Sequence, residues 1–207
     1  MIIYLVYSEI KITHFKRVYI IYGIFLMVEK IWFTSDWHLG HKNIIHLSNR
    51  PFKTIEQHDE FIVRRFNELV QPDDIVWILG DISFNQSYKN YANLFGRLNG
   101  KISVVLGNHD NRQHLLRCKQ DGLIQDVRES KILNIGSDTI HLTHYPLLEW
   151  FNFHKGGYSI HGHTHGNVND YCKSTDVSLE CWSYEPVEWQ ELKQYIDDGN
   201  NANEHYI

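Results

Sequence analysis

The sequence predicts an α/β fold in which strands and helices alternate along the chain. Two observations carry this prediction. Five short, nearly continuous apolar runs each lead into a polar cluster of Gly, Asp, Asn or His residues, and segments with helical signals lie between several of them. Such runs are typical of strands that are buried on both faces, and their alternation with helices favours layers of sheet and helix.

The predicted strands are the five apolar runs, each bounded by polar or turn-forming residues. They are Ile31–Phe33, Ile75–Leu79, Ile102–Leu106, Ile140–Thr143 and Tyr158–Ile160.

Four segments are predicted to be helical. They span residues 55–70, 88–98, 111–118 and 186–197. At the start of the first, Thr54 with Gln57 three residues later forms a capping box, and Pro186 fits the first turn of the last.

Composition describes an ordinary globular chain with one unusual feature. The 207 residues are 43% hydrophobic and 22% charged, which excludes disorder, collagen and coiled coil, but they include 14 histidines. The formal net charge of −5, without a Lys/Arg run, gives no strong nucleic-acid-binding signal. Three cysteines without CxxC spacing argue against a disulfide framework, so we expect a cytoplasmic location.

Residues 1–26 differ from the rest of the sequence. They are rich in β-branched and aromatic residues, and the longest apolar run, Val18–Val28, has 11 residues, whereas a membrane span needs about 20. We therefore expect no membrane span. Three interpretations remain open: translation naturally starts at Met27, residues 1–26 form an accessory strand or hairpin, or they have a membrane or export role. In each, residues 27–207 are predicted to be a single domain.

Five polar clusters follow the five predicted strands. In open α/β sheets the ligand site lies beyond the carboxyl ends of the strands, so these clusters are expected to converge. Within the first and last, the ligand residues are two apart, and we expect an extended backbone to point both the same way. Alone, the first three clusters are ordinary turn or helix-cap signals and the last is a stronger metal signal. The joint pattern of carboxylates, amide and imidazoles indicates a site for Mn, Fe, Zn or Ni. The clusters are Asp36-Trp37-His38, Gly80-Asp81, Gly107-Asn108-His109-Asp110, His144 and Gly162-His163-Thr164-His165.

In this order, the motifs DxH, GD, GNHD, an isolated His and GHxH resemble the signature of the calcineurin-like metallophosphoesterases. The resemblance covers about residues 29–190. The stretches Asp36–His41 and Asn49–Phe52 are similar to a subgroup of small single-domain bacterial and phage phosphoesterases. This resemblance implies a four-layer sandwich of two mixed β-sheets flanked by helices.

The resemblance also implies a binuclear site with divided roles. Asp81 would bridge two divalent ions, a hydroxide held between them would attack a phosphate ester, and unliganded His109 would act in catalysis beside the phosphate. Two ions with two carboxylates and one hydroxide leave a net charge of +1, which attracts an oxyanion. The implied ligands are Asp36, His38 and His165 for the first ion and Asn108, His144 and His163 for the second.

Other polar residues near the motifs are weaker candidates. The expected substrate contacts are His41, Asn43, Arg50 and Arg112, because arginine forks pair with phosphate. Asp110 and His161 are expected to support the ligands from behind. His58 and several other histidines are expected to be ordinary surface residues.

Several substrate classes remain open at this point. A phosphodiester of a nucleotide or other small molecule comes first, because about 181 residues leave no room for a large cap domain. A nuclease comes second, and a phosphoprotein phosphatase third because Gly80-Asp81 continues as Ile82-Ser83-Phe84 rather than GDxxDRG. A catalytically silent metal-binding scaffold is disfavoured, since every implied ligand is present. The sequence predicts neither the oligomeric state nor the metal.

Overall fold

The computed structural model describes residues 18–21, 24–27, 29–84 and 87–199. Near the start, β1 (Val18–Ile21) and β2 (Ile24–Met27) pair as an antiparallel hairpin. A hairpin is one of the two structures expected for the N-terminal extension, most of which lies outside the described residues. A natural start of translation at Met27 stays a prediction.

A five-stranded sheet carries the first three predicted strands side by side. Its order is β11-β3-β4-β5-β6, and all neighbours are parallel except β11, which pairs antiparallel with β3 at the edge. The strands are β3 (Ile31–Thr34), β4 (Ile75–Ile78), β5 (Lys101–Val105), β6 (Asp126–Arg128) and β11 (Val187–Glu188).

A four-stranded sheet carries the other two predicted strands. Its order is β10-β9-β8-β7, with β7 and β8 antiparallel and the other neighbours parallel. Both sheets are therefore mixed. The strands are β7 (Ser130–Ile135), β8 (Asp138–Thr143), β9 (Tyr158–His161) and β10 (Ser174–Asp176).

The four predicted helices are confirmed, and their termini differ from the predicted ones by at most three residues. The last helix begins at Trp189, so Pro186 precedes it and does not lie in its first turn. Thr54 caps its helix as expected, because its hydroxyl accepts a hydrogen bond from the Gln57 amide. Ser87 and Asn111 cap the next two in the same way. The helices are α1 (Ile44–Leu47), α2 (Ile55–Leu69), α3 (Tyr88–Phe95), α4 (Arg112–Gln120) and α5 (Trp189–Gly199).

Alternating residues of the five-stranded sheet contribute to two hydrophobic cores. Along β4, Val76 and Ile78 pack in the core formed with α2, α3 and α4, whereas Trp77 packs against the four-stranded sheet and α5. Strands buried on both faces explain the continuous apolar runs in the sequence. Two mixed sheets flanked by helices confirm the predicted α/β fold class. Across the described ranges, no helix is both long and apolar enough to cross a membrane.

Candidate metal centre

The loops that follow β3, β4, β5, β8 and β9 meet at one edge of the two sheets. They bring together two groups of side chains, and in each group the potential ligand atoms lie within 4.8 Å of one another. We call Asp36, His38 and His165 the first cluster, and Asp81, His144 and His163 the second cluster. The expected convergence of the five motifs is therefore what the structure shows.

Asp81 lies between the two clusters. Its Oδ2 atom is 3.6 Å from Nε2 of His38 in the first cluster and 3.6 Å from Nε2 of His144 in the second. Its Oδ1 atom accepts a hydrogen bond of 2.9 Å from the His109 amide, which fixes the carboxylate. A single oxygen is thus aimed at the space between a histidine of each cluster.

The first cluster contains buried polar atoms without a hydrogen-bond partner among the described residues. They are Oδ1 of Asp36 and both ring nitrogens of His38. Asp36 Oδ1 faces Nε2 of His38 at 3.7 Å and Nε2 of His165 at 3.5 Å. Buried polar atoms are rarely left unpaired. Unpaired lone pairs that converge in this way fit a divalent cation.

The backbone at the ligand positions is turned rather than extended. The expectation that extended chain brings Asp36 and His38 together is wrong, because both adopt left-handed conformations, and so do His163 and His165. A left-handed residue other than glycine costs about 1–3 kcal/mol, which surrounding contacts must offset. The φ angles are 59° for Asp36, 52° for His38, 52° for Asp81, 71° for His163 and 50° for His165.

Two glycines allow the loops after β4 and β5 to touch. A Cβ atom on Gly80 would lie 2.6 Å from the Gly107 backbone and 2.7 Å from Nδ1 of His144. One on Gly107 would overlap the Asp81 carboxylate. Both glycines are therefore needed for the close approach, and Gly80, with a φ of 97°, is also needed for the turn.

Hydrogen bonds behind the ligands fix which ring nitrogen faces the site. Nδ1 of His144 lies 2.7 Å from the Leu79 carbonyl, which can only accept, so Nδ1 carries the hydrogen. Its Nε2 then presents a lone pair toward Asp81, beside Oδ1 of Asn108 at 3.0 Å. In the first cluster, Nδ1 of His165 lies 2.9 Å from the Glu180 carboxylate, which leaves Nε2 facing Asp36. Such partners orient metal-binding histidines.

Asp110 and His161, the two residues expected to support the ligands, lie within or directly beside the motifs. The Asp110 carboxylate accepts hydrogen bonds from the amides of Gly107, Asp81 and Ile82, and so ties the β4 and β5 loops together. Burial raises the pKa of Asp110 to about 6. His161 is buried with Nδ1 3.0 Å from the Gly162 carbonyl, directly before the GHxH ligands.

Electrostatics favour the ligand forms of two key side chains. Burial opposes ionisation of Asp36, but the nearby imidazoles of His38 and His165 hold its pKa well below the usual range. Burial and the neighbouring His144 lower the pKa of His163. An ionised carboxylate and a neutral imidazole are the forms that bind cations.

Three of the expected substrate-side residues occupy the rim or the surface beyond it. His109 is exposed, belongs to neither cluster, and its ring lies 5.4 Å from those of His38 and Phe84. His41 stacks on Phe84 with 4.2 Å between ring centroids. Asn43 is exposed at the start of α1.

Of the two arginines, Arg50 is not free to contact a phosphate, whereas the expected contact of Arg112 stays a prediction. Arg50 is only 3% exposed, and its guanidinium is bound by protein groups behind the Asp36 loop, so the expected phosphate contact is corrected. Arg112 is exposed on α4 and forms an ion pair with Glu129. The expectation that His58 is a surface residue is also wrong, because His58 is fully buried on α2 beside Arg50.

Sequence reasoning missed three residues that contact the ligands. Glu180 bonds His165, Ser178 donates from Oγ to Asp36 Oδ2 at 2.9 Å, and the Tyr145 hydroxyl lies 3.4 Å from Asn108 Oδ1. Tyr145 directly follows His144 and was visible as a neighbour of a ligand. No motif marks Ser178 or Glu180.

Comparisons with known proteins agree with this geometry. The family model for the calcineurin-like phosphoesterase superfamily domain matches residues 30–181. The uncharacterized protein MJ1445 of Methanocaldococcus jannaschii is 31% identical over 183 residues, covering 84% of this chain and 95% of that protein. The gene 66 protein of Mycobacterium phage L5 is 31% identical over 181 residues, covering 73% and 86%.

Among solved structures, the protein of unknown function AQ665 from Aquifex aeolicus has the same fold. It is 25% identical, with a TM-score of 0.66 over 82% of this chain and 100% of that one. The family match spans most of the chain and includes every residue of both clusters. The chain belongs to the calcineurin-like phosphoesterase superfamily and is a metal-dependent phosphoric ester hydrolase.

Proposed function

We propose that the protein is a binuclear phosphodiesterase that hydrolyses a phosphodiester of a nucleotide or other small molecule. The position of Asp81 carries the proposal, because its Oδ2 atom faces a histidine of each cluster at the same distance of 3.6 Å. One carboxylate oxygen in this position suits a bridge between two cations. The first cluster would hold one ion, and the second cluster with Asn108 would hold the other.

The donor set constrains the metal. Carboxylate, amide and imidazole donors without a thiolate suit Mn, Fe, Zn or Ni. When bound, two divalent ions act as Lewis acids on the phosphate and lower the pKa of water, so that hydroxide is available near neutral pH. The residues of the chain hold, orient and charge-balance this pair.

His109 is the candidate general acid. It lies outside both clusters, its side chain is exposed at the rim, and its amide donates to Asp81. A protonated ring nitrogen of His109 can donate its proton to the oxygen of the leaving group as the ester bond breaks. The same hydrogen-bond donor can stabilise charge on the phosphate oxygens.

The rim of the site suits a small organic diester. Phe84 with His41 flanks the first cluster, and Tyr145 lies 4.5 Å from the ring of His163 in the second. Flat aromatic rings on two sides can stack on a ring substituent of a substrate such as a nucleobase. The net charge of −5 gives no support to a long nucleic-acid substrate.

The test uses the intact chain and a generic diester. Metal-stripped protein is expected to be inert toward bis(p-nitrophenyl) phosphate and to regain turnover when Mn²⁺ is added. A panel of cyclic nucleotides, dinucleotides, single-stranded DNA and phosphopeptides then separates the substrate classes. Absence of turnover with every divalent ion tried would refute the proposal, and preference for phosphopeptides would replace the diester assignment.

A further inference from the structure

Arg50 is buried next to the first cluster, and we call Arg50 with its side-chain partners Glu180 and His58 the Arg50 hub. Its Nε and one terminal nitrogen contact Oε1 of Glu180 at 2.8 and 2.7 Å. The other donors bond to main-chain carbonyls, that of Trp37 at 2.8 Å and that of Asp36 at 2.7 Å. Because a guanidinium has only donors in a rigid plane, these acceptors are held in one arrangement.

Glu180 links Arg50 to His165, one of the three residues of the first cluster. The Oε1 atom that receives Arg50 also lies 2.9 Å from Nδ1 of His165. The same arginine therefore contacts the backbone of Asp36 and, through one carboxylate, fixes the ring of His165. Two of the three ligands of the first cluster depend on it.

Helix α2 contacts the other side of Arg50 through His58. Nε2 of His58 lies 2.6 Å from Arg50, and since arginine cannot accept, Nε2 is the acceptor and Nδ1 carries the hydrogen. That Nδ1 donates to Oδ1 of Asp59 at 2.7 Å, and Oδ2 of Asp59 accepts from the Gly40 amide at 2.9 Å. The loop that bears Asp36 and His38 is thus tied to α2 at two points.

The second cluster is supported differently. His144 is oriented by the Leu79 carbonyl, and Asp81 is held by the His109 amide. Within the described part of the chain, no arginine or glutamate side chain bonds to a ligand of the second cluster. A substitution in the Arg50 hub should therefore change the metal affinity of the first cluster and not that of the second.

We propose that Arg50 is a positioning residue that acts through Glu180 to set the metal affinity of the first cluster selectively. The inference rests on the proposed function, in that both clusters bind metal ions. Residues that orient metal-binding histidines typically contribute 10–100-fold to metal affinity. Arg50 touches no substrate in this account, and its effect reaches the reaction only through Asp36 and His165.

The experiment titrates metal-stripped protein with Mn²⁺ and measures both dissociation constants by calorimetry. Glu180→Gln and Arg50→Lys are expected to weaken one Mn²⁺ ion by about 10–100-fold and to change the other by less than about threefold. Repeating Glu180→Gln in a His144→Ala background and in a His38→Ala background assigns the ion. The weakening should appear only in the His144→Ala background, which retains the first cluster.

A matched control is the ion pair between α2 and the segment that follows Glu180. Arg65 on α2 pairs with Glu185 at 2.7 Å, and its other described ion pair is with Glu68. Arg65→Lys and Glu185→Gln should leave both Mn²⁺ dissociation constants unchanged. Circular dichroism checks folding, and Glu180→Gln, which keeps the side-chain shape, decides the matter if Arg50→Lys does not fold.

The outcomes separate this inference from the proposed function. If the unsubstituted protein binds fewer than two Mn²⁺ ions, the binuclear proposal fails. If it binds two, but Glu180→Gln changes neither dissociation constant or weakens both equally, the positioning role of Arg50 is overturned.

Discussion

The two clusters use the same side-chain chemistry but are supported in different ways. In the first, the ligands are held by charged and hydroxyl side chains, namely Arg50, Glu180 and Ser178. In the second, main-chain groups orient His144 and the Asp81 carboxylate, the Asp110 carboxylate holds the Asp81 amide, and His163 and Asn108 are exposed. The difference suggests a closed, rigid half and an open half beside the rim. An open half is where a phosphate can enter the site.

The largest effect should come from the residue shared by both halves. Asp81→Asn removes the charge that faces both His38 and His144, so Mn²⁺ content should fall at both sites. Diesterase turnover should fall by more than about 10³-fold, since charge stabilisation is lost in both halves. Loss of only one ion, measured by metal analysis, would show that Asp81 belongs to a single cluster.

Removing His109 should separate chemistry from metal binding. His109→Ala is expected to reduce kcat by about 10²–10⁴-fold, the usual contribution of a general acid. Because the ring belongs to neither cluster, bound Mn²⁺ should stay at the unsubstituted level. A parallel loss of bound Mn²⁺ would show that His109 is a metal ligand and would contradict its assignment as a general acid outside both clusters.

A smaller effect on metal binding is expected from a substitution beside the second cluster. Tyr145→Phe removes a hydroxyl that lies 3.4 Å from Oδ1 of Asn108. A long, exposed hydrogen bond contributes little, so the second-cluster Mn²⁺ ion should weaken by only about twofold to threefold. The first-cluster ion should be unaffected, and a weakening confined to that ion would reverse the assignment.

The smallest effect concerns acid stability on the closed side. Burial lowers the pKa of His58 in the fold, despite the opposing hydrogen bond to Asp59. Below pH 6.5, its ordinary value, the unfolded chain binds this proton more readily than the native protein, so stability falls as pH decreases. One proton contributes at most about 1.4 kcal/mol per pH unit.

Urea unfolding of His58→Gln measures this contribution. The loss of stability between neutral and mildly acidic pH should be smaller than in the unsubstituted protein. His46→Gln is the control, since His46 is exposed on α1 and should leave the dependence unchanged. Equal pH dependence in all three proteins would contradict the account of His58.

Much of the fold was predictable because the central strands are apolar on both faces. Two of the strands missed by sequence reading, β7 and β10, have weaker signals: β7 alternates as an edge strand of the four-stranded sheet, and β10 consists of Ser, Thr and Asp. The side chains of Thr175 and Asp176 in β10 are buried because Thr175 donates to Asp170, and Asp176 accepts from the Ser178 amide and the Thr164 hydroxyl. Such compensation is invisible in composition.

The site shows the same division between visible and invisible signals. Motif order predicted the residues that the fold brings together in the two clusters, but Arg50 was assigned to phosphate because residue type does not reveal burial. His58 carried a usable signal, since it lies four residues before Ile62 on the apolar face of α2. Glu180 carried none, because its partner His165 is brought to it by the fold, beyond any local motif.

The central claim is that two ions lie in two differently supported clusters joined by Asp81. A crystal structure of the protein soaked in Mn²⁺, with anomalous diffraction, tests it directly. Two peaks are expected, one among Asp36, His38 and His165 and one among Asn108, His144 and His163, with the Asp81 carboxylate touching both. A single peak, or a second peak away from Asp81, would contradict it.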